Sequence, residues 1–154
     1  MFELTNPFHV GVIVPDAEKA MADYTAATGA TWHTLQALDL SILIDGEVVQ
    51  TSVRFNYTVE GPVQFEVADG PDDSPWDASM YGGLNHIGCW SDDLHGDHQR
   101  LADAGWKTLH GGAGEDGQIA GFVFVQSPAG DRVELLDTAM KPLFANWFAG
   151  GNFE

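Results

Sequence analysis

Short runs of alternating apolar and polar residues recur along the chain, and two of them look alike. Phe8-His9-Val10-Gly11-Val12-Ile13-Val14 opens the first half, and Asn85-His86-Ile87-Gly88-Cys89-Trp90 opens the second. Both are β-rich, and both carry a histidine, one apolar residue and a glycine. Each is followed by an aspartate placed to cap a helix, Asp16 and Asp93. The period then lengthens. Ala17, Ala20, Met21 and Tyr24 fall at helical spacing within 16–28, as do Leu94 and Leu101 within 93–104. Gly29 and Gly105 supply the stops. A short strand with tryptophan is expected next, Thr31-Trp32-His33 in one half and Trp106-Lys107-Thr108 in the other. Two more strands close each half, at 48–59 and 62–67, then at 120–125 and 132–136.

A repeat of this kind predicts an α+β fold made of two βαβββ modules in a single domain, residues 1–154. Module one covers about 7–68, a linker 69–83, and module two about 84–138. The linker is rich in glycine, proline and aspartate and reads as a loop. A tail helix at 139–149, with Leu143, Phe144, Trp147 and Phe148, should cap an apolar surface or pack on a partner subunit.

Strand side chains alternate between faces. Val10, Val12 and Val14 take the helix side, which leaves His9, Gly11 and Ile13 on the other. The same count puts Glu66, His86 and Glu134 on the side of His9, the concave face of a curved, barrel-like sheet with helices outside. Buried carboxylates without partners are costly, and a divalent cation is the simplest compensation. His9, Glu66, His86 and Glu134 are therefore the candidate ligands of one divalent metal ion. On the middle strand Val49, Thr51, Val53, Phe55 and Tyr57 alternate with Gln50, Ser52, Arg54 and Asn56. The polar set is expected to share the metal's cavity. Gln50, Arg54, Asn56 and Trp90 are thus candidate substrate-binding residues, with Arg54 either holding a substrate carboxylate or pairing with a cavity acid. Phe122, Phe124 and Leu136 are further candidate walls, or plain core. His33 is a candidate to reach the cavity. His95 and His98 fall on an exposed helix face, and His110 precedes a glycine-rich loop, 111–117, at the mouth.

Charge narrows the partners. Six basic and 23 acidic residues leave a net charge of −17, which disfavours nucleic acid, anionic membranes and polyphosphate substrates. The single cysteine, Cys89, sits in an apolar run and reads as a buried, inert thiol in a reducing cytoplasm. No apolar run is long enough for a membrane helix, and no signal peptide is expected.

Four stretches, Phe8 to Val12, Gln64 to Val67, Leu84 to Gly88 and Arg132 to Leu135, carry a resemblance to the vicinal oxygen chelate superfamily over roughly residues 7–138. That superfamily includes glyoxalase I, methylmalonyl-CoA epimerase, extradiol dioxygenases, and fosfomycin-resistance and bleomycin-binding proteins. The chain is most similar to the glyoxalase I and epimerase-like branch. The resemblance implies a metal cup between the modules. It implies a two-histidine, two-glutamate set similar to bacterial glyoxalase I, and a homodimer. The ion, among Ni, Co, Zn, Mn, Fe and Mg, would polarise a substrate carbonyl and stabilise an enolate or enediolate. Glu134 is the preferred base, with Glu66 the alternative. Epimerase-like proteins carry another acid on the middle strand, where this chain has Gln50, so a two-base epimerisation is disfavoured. The implied activity is a metal-dependent isomerase, epimerase or lyase acting on a small, partly hydrophobic carbonyl compound. A ring-cleaving dioxygenase and a non-catalytic binding or resistance protein are the alternatives.

Overall fold

Alternating strands that bury one face need a partner surface, and the computed structural model of residues 1–154 shows two repeated units supplying it to each other. The first contains β1 (His9–Ile13), α1 (Ala17–Thr28), β2 (Gln36–Ile44), β3 (Glu47–Tyr57) and β4 (Gln64–Asp69). A linker with the short α2 (Ala78–Tyr81) follows. The second unit contains β5 (Gly83–Ser91), α3 (Leu94–Asp103), β6 (Lys107–Ala113), β7 (Ile119–Gln126) and β8 (Arg132–Asp137). A 3-10 turn, Thr138–Met140, leads into the final helix α4 (Lys141–Phe148). The eight strands close into a barrel in the order β1-β4-β3-β2-β6-β7-β8-β5. In each unit the first strand lies parallel to the last, β1 on β4 and β5 on β8. The units meet through two antiparallel seams, β1–β5 and β2–β6.

Local chemistry sets the helix ends. The Asp16 carboxylate accepts the Lys19 N–H at 3.1 Å, and Asp93 accepts the Gly96 N–H at 3.0 Å. Gly29 ends α1 in the left-handed region, at φ 76°. Helix α1 covers Val12 and Val67, whereas α3 covers Cys89, Val133 and Leu135. A third apolar cluster, which includes Ile13, Ile42, Phe55, Tyr57 and Leu136, fills the barrel. No helix is long and apolar enough to cross a membrane.

Three expectations about the elements need correction. Trp32 forms only an isolated bridge to Thr58, and the second strand is β2 instead. Leu38, Leu40, Ile42 and Ile44 alternate along β2 and pack on the barrel core. The strand turns into β3 through Asp45-Gly46, both at positive φ (51° and 79°), the backbone that a two-residue hairpin requires. In the second unit, β6 takes in His110, Gly111 and Gly112, which sequence places in or beside a loop. Gly111 and Gly112 pair with Leu43 and Ile42 where the sheet closes, and a side chain at Gly112 would overlap the Ala120 carbonyl. The linker, finally, is more than a loop. It carries α2 and drives Trp76 into the barrel core.

The tail caps an apolar surface of its own chain. Phe144 and Trp147 insert into the end of the barrel, and the Trp147 indole N–H donates to the Thr34 carbonyl at 2.9 Å. Trp147 is 1% exposed, so its removal opens a void. Trp147→Ala should cost about 3–5 kcal/mol of stability, read as a lower urea midpoint with little change in slope.

Candidate metal centre

The histidine–x–glycine repeat has a direct geometric meaning. Across the β1–β5 seam His9 lies opposite Gly88, and His86 lies opposite Gly11. A Cβ at Gly88 would overlap the His9 ring, and a Cβ at Gly11 would overlap the His86 ring. Each half therefore supplies one imidazole and the gap that receives the other. The parallel neighbours add the acids. Gly11 is paired with Glu66 on β4, and Gly88 with Glu134 on β8.

The four side chains are buried and converge. His9 Nε2 lies 3.3 Å from Glu66 Oε2 and 3.1 Å from Glu134 Oε2. His86 Nε2 lies 3.0 and 3.5 Å from the same two atoms. The two Nε2 atoms are 3.0 Å apart, and one ligand atom from each residue lies within 4.8 Å of all the others. His86 Nδ1 sits 3.0 Å from Asn85 Oδ1, which favours a proton on Nδ1 and a free lone pair on Nε2. Glu66 Oε2 makes no hydrogen bond of acceptable geometry despite its burial. Burial by itself lowers the His9 pKa, but Glu66 and Glu134 outweigh it and raise the group to about 9. Burial raises Glu66, yet His9 and His86 hold it down at about 2. Two imidazole nitrogens and two carboxylate oxygens around one point, one of them without a hydrogen bond, fit a hard or borderline divalent ion.

Beside the centre lies a cavity of about 120 Å³, and 12 of its 14 lining residues are hydrophobic. Its polar members are Glu66 and Glu134. Phe122, Phe124 and Leu136 do line it. Trp90 does not. It backs Phe8 at 4.7 Å and Phe144 at 5.4 Å between ring centroids.

The middle strand has the opposite orientation from the one expected. Tyr57 pairs with Glu66, and Asn56 pairs with Val67, so Tyr57 faces the cavity and Asn56 faces the helix. Val53 and Phe55 line the cavity with Tyr57. Arg54 instead donates from Nε to Asp69 at 2.9 Å and lies 3.6 Å from Asp16 and 3.5 Å from Glu18. Asp69 in turn accepts the Ala17 N–H at 2.7 Å, so this pair ties the start of α1 to the sheet. The Asn56 amide donates to the His33 carbonyl at 2.7 Å. Gln50 bonds Ser41 on an exposed part of the hairpin. Arg54, Gln50 and Asn56 are thus absent from the cavity, because polar side chains on this strand have polar partners on its outer face. Tyr57 is the site residue that sequence reasoning missed. Burial, then Glu66 and Glu134, raise its phenol well above the ordinary range, which keeps it protonated. Its place opposite a candidate ligand was the available signal. His33 stacks on Phe148 at 4.1 Å and stays outside the cavity lining.

The profile of the Glyoxalase/Bleomycin resistance protein/Dioxygenase superfamily matches residues 8–124. A comparison with curated protein sequences finds no match. Among solved structures, methylmalonyl-CoA epimerase from Mycobacterium tuberculosis is similar with a TM-score of 0.59 and 18% identity, covering 89% of this chain and 92% of that one. A variant of the Streptomyces coelicolor epimerase in complex with 2-nitronate-propionyl-CoA gives 0.60 and 18%, covering 89% and 99%. A mutant 4-hydroxymandelate synthase from Streptomyces coelicolor gives 0.55 and 15%, covering 85% of this chain but 47% of that one. The chain thus spans about half the length of that synthase. At these identities the likeness shows a shared fold.

Two outcomes follow from the geometry. In chelator-treated protein, the raised His9 pKa contributes stability below its unfolded value of 6.5 that is lost as pH rises through about 9. The depressed Glu66 pKa contributes stability above 4.5 that is lost as pH falls towards about 2. Thermal melts in a chelating buffer should therefore show midpoints falling on both sides of a plateau near pH 5–6. Gly11→Ala should force the His86 ring aside and cost about 1–3 kcal/mol, with weaker metal retention on dialysis.

Proposed function

This chain belongs to the Glyoxalase/Bleomycin resistance protein/Dioxygenase superfamily, the vicinal oxygen chelate proteins, and from that premise we propose a metal-dependent isomerase, epimerase or lyase. Its substrate is a small, largely apolar carbonyl compound. One observation carries the reading: four buried donor atoms within 4.8 Å of one another border a cavity that is otherwise hydrophobic.

A divalent cation held by His9, Glu66, His86 and Glu134 would polarise a substrate carbonyl as a Lewis acid and so acidify the neighbouring C–H. The two imidazoles would serve as fixed ligands, since their rings occupy the gaps at Gly11 and Gly88. Glu66, opposite Tyr57 on β3, would stay on the ion as a ligand. Glu134, which also borders the cavity, is the residue we assign to take the α-proton and return it. Tyr57 keeps its phenolic proton beside Glu66 and offers a donor to a substrate oxygen. The hydrophobic walls exclude water and strengthen these charges. No lysine or arginine lines the cavity, which supports a reacting group without its own negative charge. The same reading keeps the protein as a cytoplasmic homodimer that needs neither nucleic acid nor membrane.

Deuterium wash-in next to the carbonyl of small aryl or alkyl 2-oxo and 2-hydroxy carbonyl compounds, followed by proton NMR in heavy water, tests the chemistry. Glu134→Gln should slow exchange by roughly 10²–10⁴-fold while the protein stays folded. His86→Ala should lose stoichiometric metal by elemental analysis. Exchange indifferent to both changes would sink the proposal. The aromatic walls also suit a catecholic ring, so oxygen uptake with catechols in the iron-loaded protein would favour the dioxygenase reading.

A further inference from the structure

Cations are scarce in this chain, and their pairing is uneven. Lys19, Arg54 and Arg100 all make ion pairs with aspartate or glutamate. Lys141, over the Trp90 ring, makes none, and neither do Lys107 and Arg132, although the chain holds 23 acidic residues. Both line one surface pocket of about 300 Å³, next to the linker that carries Trp76. The Arg132 guanidinium lies 4.9 Å above the Tyr81 ring, which orients it without using its N–H donors. His110 lines the same pocket. It is only 8% exposed, and its Nε2 has no hydrogen-bond partner. Its ring is held by stacking on Phe124 at 4.4 Å and by an edge contact with Trp76 at 5.5 Å.

Two cations without a carboxylate partner line the same pocket and supply what an anion needs. We propose that this pocket binds a small carboxylate. Arg132 offers a planar fork and Lys107 a point charge, and the His110 ring forms part of the wall. Burial, then His86 and Arg132, lower the His110 pKa to about 3, so the ring adds no third charge to the pocket. Asp45 and Asp73 also line the pocket, without approaching either cation within ion-pair distance. They disfavour bulky polyanions and leave room for a ligand of one or two carboxylates. The site is distinct from the metal centre. The Phe124 ring separates them, 4.4 Å from His110 on one side and 4.8 Å from His86 on the other.

Titration of the full chain with succinate, read by amide NMR, tests this. Saturable shifts are expected at Lys107 to His110 and at Arg132, with none from the uncharged isostere succinamide. Lys107 is exposed and Arg132 half-buried, so Lys107→Gln and Arg132→Gln should leave the fold intact, as checked by the unperturbed remainder of the spectrum. Each should weaken succinate by about tenfold or more, and the double variant should abolish binding. No saturable response, an equal response to succinamide, or unchanged affinity in the double variant would overturn the proposal. The readout needs neither metal nor turnover, so its failure would leave the metal-centre reading standing.

Discussion

Where β1 runs antiparallel to β5, two imidazoles are pushed to within 3.0 Å of each other, and each fits because the opposite strand has no side chain there. This contact sets the geometry of everything around it. The parallel strands β4 and β8 are then fixed in register, so Glu66 and Glu134 arrive beside the same point. A one-residue slip of either strand would send its ring to the helix side. The closed sheet gives the strands no freedom to relax independently, because the second seam, β2 on β6, ties the far side of the barrel.

The surroundings make the centre demanding. Two carboxylates lie in a cavity with hydrophobic walls, closed at one end by Phe144 and Phe153 from the tail and bordered by Trp76 from the linker. Charges in such a place need compensation within reach. In the protein alone, the His9 proton supplies part of it, as its raised pKa shows. A bound cation would have to displace that proton, which links affinity for the ion to acidity. The strongly negative surface plays no direct part here. Its few cations are used locally, Arg54 to anchor a helix start and Arg132 to face a separate pocket.

Much of this was legible in the repeat. Histidine, x, glycine occurs twice before a capping aspartate, and that pattern located β1, β5, both helices and the four converging side chains. Alternation alone was enough to bring His9, Glu66, His86 and Glu134 to one face. It failed on β3, where polar residues were read towards the polar centre. The cavity is apolar beyond the two acids, and Arg54 and Asn56 found partners outside, in Asp69 and the His33 carbonyl. Neither partner is near in sequence, so only the register with β4 could decide the side. Strand β2 carries the plainer alternation of Leu38, Leu40, Ile42 and Ile44, whereas the β-rich run around Trp32 pairs only at one isolated bridge. Glycines in β6 read as loop residues because close backbone approach between seams leaves no local trace.

The crossed seating of ring and gap also bears on how such a protein can change over time. Neither half holds all four converging side chains, and a bulkier residue at either glycine would collide with the histidine of the other half. Elsewhere the halves differ, with a long hairpin on one side and glycine-rich closure on the other. What stays symmetric is the small cross of four positions at the joint, where each ring leaves no room for a side chain on the glycine it covers.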